Sequence, residues 1–291
     1  MPLVEYDLFG DKHDKVAKAI ERLKAFEPPE GYYVAFSGGK DSQAVYHLCE
    51  MAGVKFDAHY NITSVDPPEL VRFIKTNYPD VALDFPRDQD GKVITMWNLI
   101  PRKKMPPTRL VRYCCEKFKE TSGKGRITVT GVRWEESCSR KANQALVNVR
   151  GKKPMKIAEA EGVAFDTNKS NSILLNYDDS HARRIVEQCY RTNKTLVNPI
   201  IDWLAADVWE FLRDVAKVKS CILYKQGYKR LGCIGCPLSS NQYRELAAYP
   251  TYKKAYIRAF ERMLEQRREA GLPTEWTTAD EVMRWWIGGK T

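Results

Sequence analysis

Residues 37–42 read Ser-Gly-Gly-Lys-Asp-Ser. They follow a short apolar run at 32–36 (YYVAF) and precede a stretch at 41–52 with helical spacing, closed by Gly53. Strand, glycine turn, helix is the arrangement of an anion site. Gly38 and Gly39 let the backbone turn tightly and present its N–H groups to a phosphate. The following helix points its positive end at the same place. Ser37 and Ser42 add hydroxyls and Lys40 adds charge. Asp41 is the odd member beside a phosphate, and it makes sense as a ligand to a magnesium ion bridging phosphates. The plain alternative is a strand–helix link in which glycine and serine are turn and cap residues. Six residues of this composition in this context favour the phosphate reading. The loop is not Walker A, which needs Gly, any four residues, then Gly-Lys-Ser/Thr.

Around the loop the pattern alternates. Apolar positions Val16, Ala19, Ile20, Leu23 and Phe26 predict a helix over 14–26, ended by Pro28, Pro29 and Gly31. Residues 55–60 read as a strand, 67–78 as a helix with proline in its first turn, and 81–85 and 127–132 as further strands. Strands alternating with helices predict an α/β fold: a doubly wound, mostly parallel sheet covered on both faces. Residues 141–176 are polar and less regular, so a loop-rich insertion is expected there. Residues 207–215 and 252–268 look helical, and the segment with Trp276, Trp285 and Trp286 reads as a helix packed on the body. This sets a coarse boundary: a nucleotide-binding α/β domain at 1–196, then a mainly helical C-terminal part at 197–291.

Composition narrows the class. Hydrophobic residues are 43% and charged residues 29% of the 291, ordinary for a soluble globular chain and against global disorder. No apolar run approaches the roughly 20 residues of a membrane helix. Residues 1–12 lack a basic region followed by an apolar one, so no secretory signal is expected and the location indicated is cytoplasmic, away from membranes. The formal charge is +10 and the pI near 9.1. Such a surplus favours polyanionic partners, nucleotides or nucleic acid. It is uneven: 102–126 holds nine basic and two acidic residues, and 140–156 holds six basic and none acidic. These stretches suit a nucleic-acid substrate held by its phosphates, or are a solvated charged surface. Tyr113, Trp97 and Trp134 could stack on bases, with core packing the safer expectation.

Eight cysteines are present, and in a cytosol they stay reduced. Cys114 and Cys115 are adjacent. Cys233 and Cys236 flank Ile234-Gly235 and precede Pro237, a loop that lets two thiolates converge on one metal. Four thiolates suit zinc or a [4Fe–4S] cluster. Cys221, 12 residues before Cys233, is an alternative ligand to one of the adjacent pair. Free buried thiols are the remaining alternative. Cys49, Cys138 and Cys189 read as structural. Between the pairs, Gly131-Val132-Arg133 leads to Glu136 and Arg140, directly after a strand, where α/β sheets bind ligands. Arg133 and Arg140 could clamp phosphate or sulfate, with Glu136 orienting one of them.

The loop SGGKDS resembles the pyrophosphate loop of the N-type ATP pyrophosphatases, a superfamily of adenylating ligases, tRNA thiolation enzymes and sulfonucleotide reductases. The order of further motifs is similar to the phosphoadenosine phosphosulfate (PAPS) reductase family. These motifs are Thr63-Ser64-Val65-Asp66-Pro67-Pro68-Glu69, Tyr113-Cys114-Cys115 with Lys117, Gly131-Val132-Arg133 with Glu136, Ser137 and Arg140, and Asn198-Pro199-Ile200 with Trp203 and Asp207-Val208-Trp209. Leu223-Tyr224, Gly227-Tyr228, Arg230 and Gly232 through Pro237 resemble its iron–sulfur branch. The likeness runs over about residues 30–240.

The resemblance implies an adenine nucleotide alpha hydrolase-like fold. It implies a nucleotide site of Ser37–Ser42, Thr63, Gly131, Arg133 and Glu136, with Lys40, Asp41, Arg133 and Arg140 in catalysis. It further implies a [4Fe–4S] cluster on Cys114, Cys115, Cys233 and Cys236, as in adenylylsulfate reductases. Two reactions are implied. One is reduction of adenylylsulfate (APS) or PAPS to sulfite, which in that family uses a cysteine near the C-terminus in a Glu-Cys-Gly-like motif. No cysteine follows Cys236, so the expectation leans to the other. That is ATP- and Mg²⁺-dependent sulfur transfer onto an adenylated acceptor, on the plan of the DNA-phosphorothioation sulfurtransferases. DNA or tRNA is then an expected acceptor and a cysteine desulfurase an expected sulfur donor. A non-catalytic nucleotide- or nucleic-acid-binding module is the third expectation, and the intact loop weighs against it.

Overall fold

The computed structural model describes residues 3–6, 12–120 and 122–288. Part of the leader reading at 1–12, and the final three residues of the chain, lie outside these. Among the described residues ten strands appear in order: β1 (Val4–Tyr6), β2 (Lys12–Asp14), β3 (Tyr32–Ala35), β4 (Phe56–Asn61), β5 (Ala82–Asp84), β6 (Ile127–Val129), β7 (Val147–Arg150), β8 (Asp166–Thr167), β9 (Ser172–Leu175) and β10 (Thr195–Val197). β1 and β2 form a small antiparallel ribbon. The other eight form one sheet in the order β5-β4-β3-β6-β10-β7-β9-β8.

The α/β class is that expected. β3 pairs in parallel with β4 on one side and β6 on the other, and β6 pairs in parallel with β10. Beyond β10 the sheet continues antiparallel through β7, β9 and β8. This flank is built from 141–176, where a loop-rich insertion was expected. β7 is a four-residue strand and β8 only two, too short for alternation to show in sequence. β3 to β5 step outward in one direction, and the chain then returns to place β6 on the other side of β3. The carboxyl ends of β3 and β6 therefore form a topological switch point, the usual ligand crevice of open α/β sheets.

The helices follow from spacing and caps. α1 (Lys15–Ala25) is capped by Asp14, whose carboxylate accepts from Val16 and Ala17 N–H, and it buries Ala19 and Leu23. α2 (Lys40–Ala52) runs from the glycine loop to Gly53, whose φ of 67° ends it. α3 (Pro68–Asn77) follows β4. α4 (Met96–Lys103) starts with a capping box of Thr95 and Asn98. No helix among the described residues is long and apolar enough to cross a membrane.

Two compact units result, interleaved along the chain rather than divided by one cut near 197. The first comprises Met1–Tyr60, Phe73–Ala82 and Gly123–Lys229 and holds nearly all of the sheet. The second comprises Asn61–Arg72, Leu83–Ser122 and Arg230–Thr291. Its core gathers Val65, Ile100, Phe118 and Ile234 with Tyr256, Phe260 and Trp286. The last three belong to the helices Pro250–Glu269 and Ala279–Ile287, and their rings meet at 4.7–6.1 Å. Burying side chains of this size contributes about 1.5–3 kcal/mol each. The tryptophan-bearing tail segment is thus a packed helix, as its pattern suggested.

Candidate active site

In the first unit the glycine loop leaves β3 and enters α2 at the switch point. Gly38 has φ 68°, the left-handed conformation a bulky residue resists. The loop is internally bonded. Ser42 Oγ donates to Gly39 carbonyl oxygen at 2.9 Å and accepts from Ser37 N–H at 3.1 Å. Gly39, the N-cap of α2, gives no side-chain cap. The Lys40 N–H donates instead to the Tyr224 hydroxyl at 2.8 Å. Lys40 is buried, and its Nζ reaches both carboxylate oxygens of Asp41 at 2.8 Å.

The segment after β6 comes to the same place. Gly131 lies against Asp41 so closely that a Cβ there would be 2.7 Å from the Asp41 carbonyl carbon and oxygen. The next turn delivers Arg133, only 3% exposed. Its Nε donates to Asp41 at 2.8 Å, and its Nη1 donates to Glu135 at 2.5 Å and to the Trp203 carbonyl at 3.2 Å. Burial works against the Arg133 charge, but Asp41 and Glu135 hold its pKa above the usual guanidinium value. Glu135 also accepts from the Ala205 N–H at 2.6 Å. Desolvation would raise its pKa, and the Arg133 and Ala205 bonds bring it below the usual carboxylate range. Asp41 is thus clamped between a lysine and an arginine at the N-terminus of a helix. Adjacent parallel strands supply the two halves, which is why residues 92 apart in sequence meet.

Other expected site residues lie as follows. Arg140 pairs with Glu136 at 3.2 Å on the short helix Cys138–Asn143. Thr63 belongs to the second unit, where it is 1% exposed. Its N–H and hydroxyl donate to the Asp66 carboxylate, and its hydroxyl accepts from Cys233 Sγ at 3.5 Å. Sequence reasoning assigned no site role to Glu135 or Tyr224, although Tyr224 stands in one of the motifs that carry the resemblance. Glu135 is one residue from the glutamate singled out, and the partner that selects it, Ala205, is distant in sequence.

The second unit assembles the cysteines. Cys114 and Cys115 end the turn Tyr113–Cys115, which continues as a π-helical turn, Glu116–Glu120. π-turns are frequent at functional sites. Ile234 N–H donates to the Val65 carbonyl at 2.8 Å and anchors the Cys233–Cys236 loop. The four thiols sense one another. The Cys114 pKa is pushed up by its hydrogen bond to Cys115, then by burial and by the charges of Cys233 and Cys236. Cys115 is brought down to about 5 by the Cys114 bond, with burial opposing and Arg112 and Lys119 adding to the fall. Lys119 in turn is raised by Cys233, Asp66, Cys115 and Cys236. The lysine that the sequence motif singles out, Lys117, pairs instead with Glu116 at 3.4 Å. The signal for Lys119 was its i+4 spacing from Cys115, one turn along the same face. Among the described residues no three His, Cys, Asp or Glu side chains form a closed ligand group. Cys221 is fully buried in the first unit. Cys49 and Cys189 are buried core residues, whereas Cys138, expected to be structural, is exposed.

The basic stretches are partly committed to structure. Arg126 binds Asp57 and the Gly31 and Tyr32 carbonyls, Arg102 binds Asp88, and Arg109 binds the Pro237 carbonyl. Tyr113 is buried and Trp97 packs on Tyr256 at 5.1 Å, so both serve the core. Trp134 donates its ring N–H to the Gln144 carbonyl.

The family model of the phosphoadenosine phosphosulfate reductase domain matches residues 31–239. An uncharacterized protein of Methanocaldococcus jannaschii is 30% identical over 94 residues, 32% of this chain and 20% of that protein, so the chain spans about one fifth of this curated relative. Among solved structures, the FMN adenylyltransferase of Candida glabrata with FAD and inorganic pyrophosphate is similar at 16% identity. That match covers 80% of this chain and 73% of that chain, with a TM-score of 0.42. The PAPS reductase of Candida auris, a phosphate complex, is similar at 12% identity, covering 74% and 88%, with a TM-score of 0.42.

Proposed function

The chain belongs to the phosphoadenosine phosphosulfate reductase domain family, and from that premise we propose that it is an ATP-dependent adenylating sulfurtransferase. The observation that carries this reading is Asp41. A carboxylate in a phosphate loop suits a nucleoside triphosphate that arrives with Mg²⁺. Asp41 is the residue that would hold that ion. Arg133 and Lys40 fix the carboxylate and keep positive charge beside the triphosphate. The N-terminus of α2 faces the same phosphates.

In the adenylation step an acceptor oxygen attacks the α-phosphorus in line. The oxygen–phosphorus bond forms, the bond to the β-phosphate oxygen breaks, and pyrophosphate leaves with the electron pair. Lys40 and the loop N–H groups stabilise the charge that grows on the leaving oxygens. A sulfur nucleophile then displaces AMP from the activated acceptor. Cys114, Cys115, Cys233 and Cys236 are the residues that would hold a [4Fe–4S] cluster. What supports this is the chemistry of four thiols within one unit, with Arg112 and Lys119 beside them to offset their charge; among the described residues no three of these side chains form a closed ligand group. Zinc fits the same four donors. A cluster supplies sulfur-rich, electron-carrying chemistry there when bound. DNA or tRNA is the proposed acceptor class and a cysteine desulfurase the proposed source of sulfur.

The test is anaerobic. Purified protein receives ATP, Mg²⁺, sulfide and mixed DNA or tRNA, and pyrophosphate is assayed. A parallel reaction holds APS or PAPS with a dithiol, and sulfite is assayed. Pyrophosphate without sulfite is expected, and Asp41→Ala abolishes it. Sulfite without pyrophosphate replaces this reading with sulfonucleotide reduction. Nucleotide binding with neither product leaves a binding module.

A further inference from the structure

α2 begins without a side-chain cap of its own, because Gly39 stands at the N-cap. Two donors in the loop are satisfied locally: Ser37 N–H by Ser42 Oγ, and Gly39 N–H by Ser37 Oγ at 3.4 Å. The Lys40 N–H differs. Its acceptor, the Tyr224 hydroxyl, lies 184 residues away in sequence, on the four-residue helix Ile222–Lys225. The ring of Tyr224 stands edge-on to Trp209, with centroids 4.9 Å apart. The hydroxyl reaches over the loop to within 3.5 Å of where a Cβ of residue 39 would sit.

The first N–H groups of a helix are those from which phosphate oxygens accept. We infer that Tyr224 is a positioning residue of the phosphate loop, whose hydroxyl competes with a nucleotide phosphate oxygen for the Lys40 N–H. This rests on reading the loop as a phosphate site. A phenol is a neutral acceptor and a phosphate oxygen a charged one, so the phosphate forms the stronger bond and displaces the hydroxyl. Until then the hydroxyl satisfies the donor. The exchange costs one neutral hydrogen bond, and the affinity for nucleotide is set lower by that amount.

Tyr224→Phe removes the competitor and keeps the ring contact with Trp209. Titration calorimetry with inorganic pyrophosphate, and with ATP and Mg²⁺, should show about two- to tenfold tighter binding, the worth of one net hydrogen bond. A residue with only a structural role would not tighten binding when trimmed. Unchanged or weaker binding overturns the inference, the weaker result making the hydroxyl a nucleotide ligand. A second measurement uses the wild-type protein and does not depend on how the variant folds. Nitration of Tyr224 by tetranitromethane, mapped by mass spectrometry, should quicken when pyrophosphate is added, and an unchanged or slower rate overturns the inference. If wild-type protein binds neither pyrophosphate nor ATP, the phosphate reading of the loop falls and this inference with it. Wild-type binding without gain in the variant sinks this inference alone.

Discussion

Glu135 shows how far a single residue can act from the reacting atoms. It would touch no phosphate, yet it holds Arg133 by a 2.5 Å bond, and Arg133 holds Asp41. Glu135→Gln keeps an acceptor for one of its two donors but removes the charge that balances Arg133. The Arg133 charge is then balanced by Asp41 alone, which weakens the carboxylate's hold on a cation. The expected outcome is roughly a tenfold loss in pyrophosphate release, within the usual effect of a misplaced group, with the fold retained. The pH dependence separates this from a general defect. The Glu135 pKa is depressed in the folded state. Its contribution to stability is therefore present above the unfolded value of about 4.3 and lost as pH falls through the folded one. The stability gap between wild type and variant, read by urea unfolding, should be constant from pH 7 to about pH 5 and narrow below about pH 4. A gap that stays constant to acid pH would show that the carboxylate charge does not matter there.

At the scale of elements, the parallel strands, their helices and the loop between β3 and α2 were legible because each is a local pattern. Alternation, helical spacing and glycine turns need no distant partner to be read. What could not be read is whatever depends on pairing: the antiparallel flank β7-β9-β8, the interleaving of the two units, and the contacts of Tyr224 and Glu135. The cysteines illustrate the difference. Their spacing left Cys221 open as a ligand, because chain distance to Cys233 is all that sequence offers. The fold puts Cys114, Cys115, Cys233 and Cys236 on elements of one unit and buries Cys221 completely in the other. The proposed set is therefore the four that share a unit, with Cys221 kept as the alternative ligand. Serine at 114, 115, 233 or 236 should each lower the iron bound after anaerobic purification. Cys221→Ser should keep full iron but lose about 1–3 kcal/mol of stability, because it replaces a fully buried thiol with a more polar hydroxyl. Iron lost from the Cys221 variant and kept in a Cys114 or Cys115 variant would reverse the assignment.

At the scale of the whole molecule, the +10 charge matters for partners rather than for the fold. Part of the basic run at 102–126 is already tied to carboxylates and carbonyls, and a second group of charges is more exposed. The helix Lys152–Ala160 opens with Lys152 and Lys153, with Lys156 one turn on, and has no acidic residue in its first turn and no side-chain cap. All three lysines are exposed. Cations at the positive end of a helix are misplaced by about 0.3–1 kcal/mol each at low salt. Folding gains from them only a long, exposed bond from Lys153 Nζ to the Gln188 carbonyl at 3.4 Å, whereas a polyanion lying across that turn would gain more. Replacing the three by alanine should therefore leave the protein as stable or slightly more so by thermal melting. Under the nucleic-acid reading it should also weaken binding to duplex DNA or tRNA to a similar degree for every sequence tried. The slope of log affinity against log salt, taken by fluorescence anisotropy from about 50 to 200 mM, should become shallower by about 0.9 for each B-DNA phosphate that is no longer neutralised. An unchanged slope with unchanged affinity would make this turn ordinary solvated surface, and the search for the acceptor would then turn to small molecules.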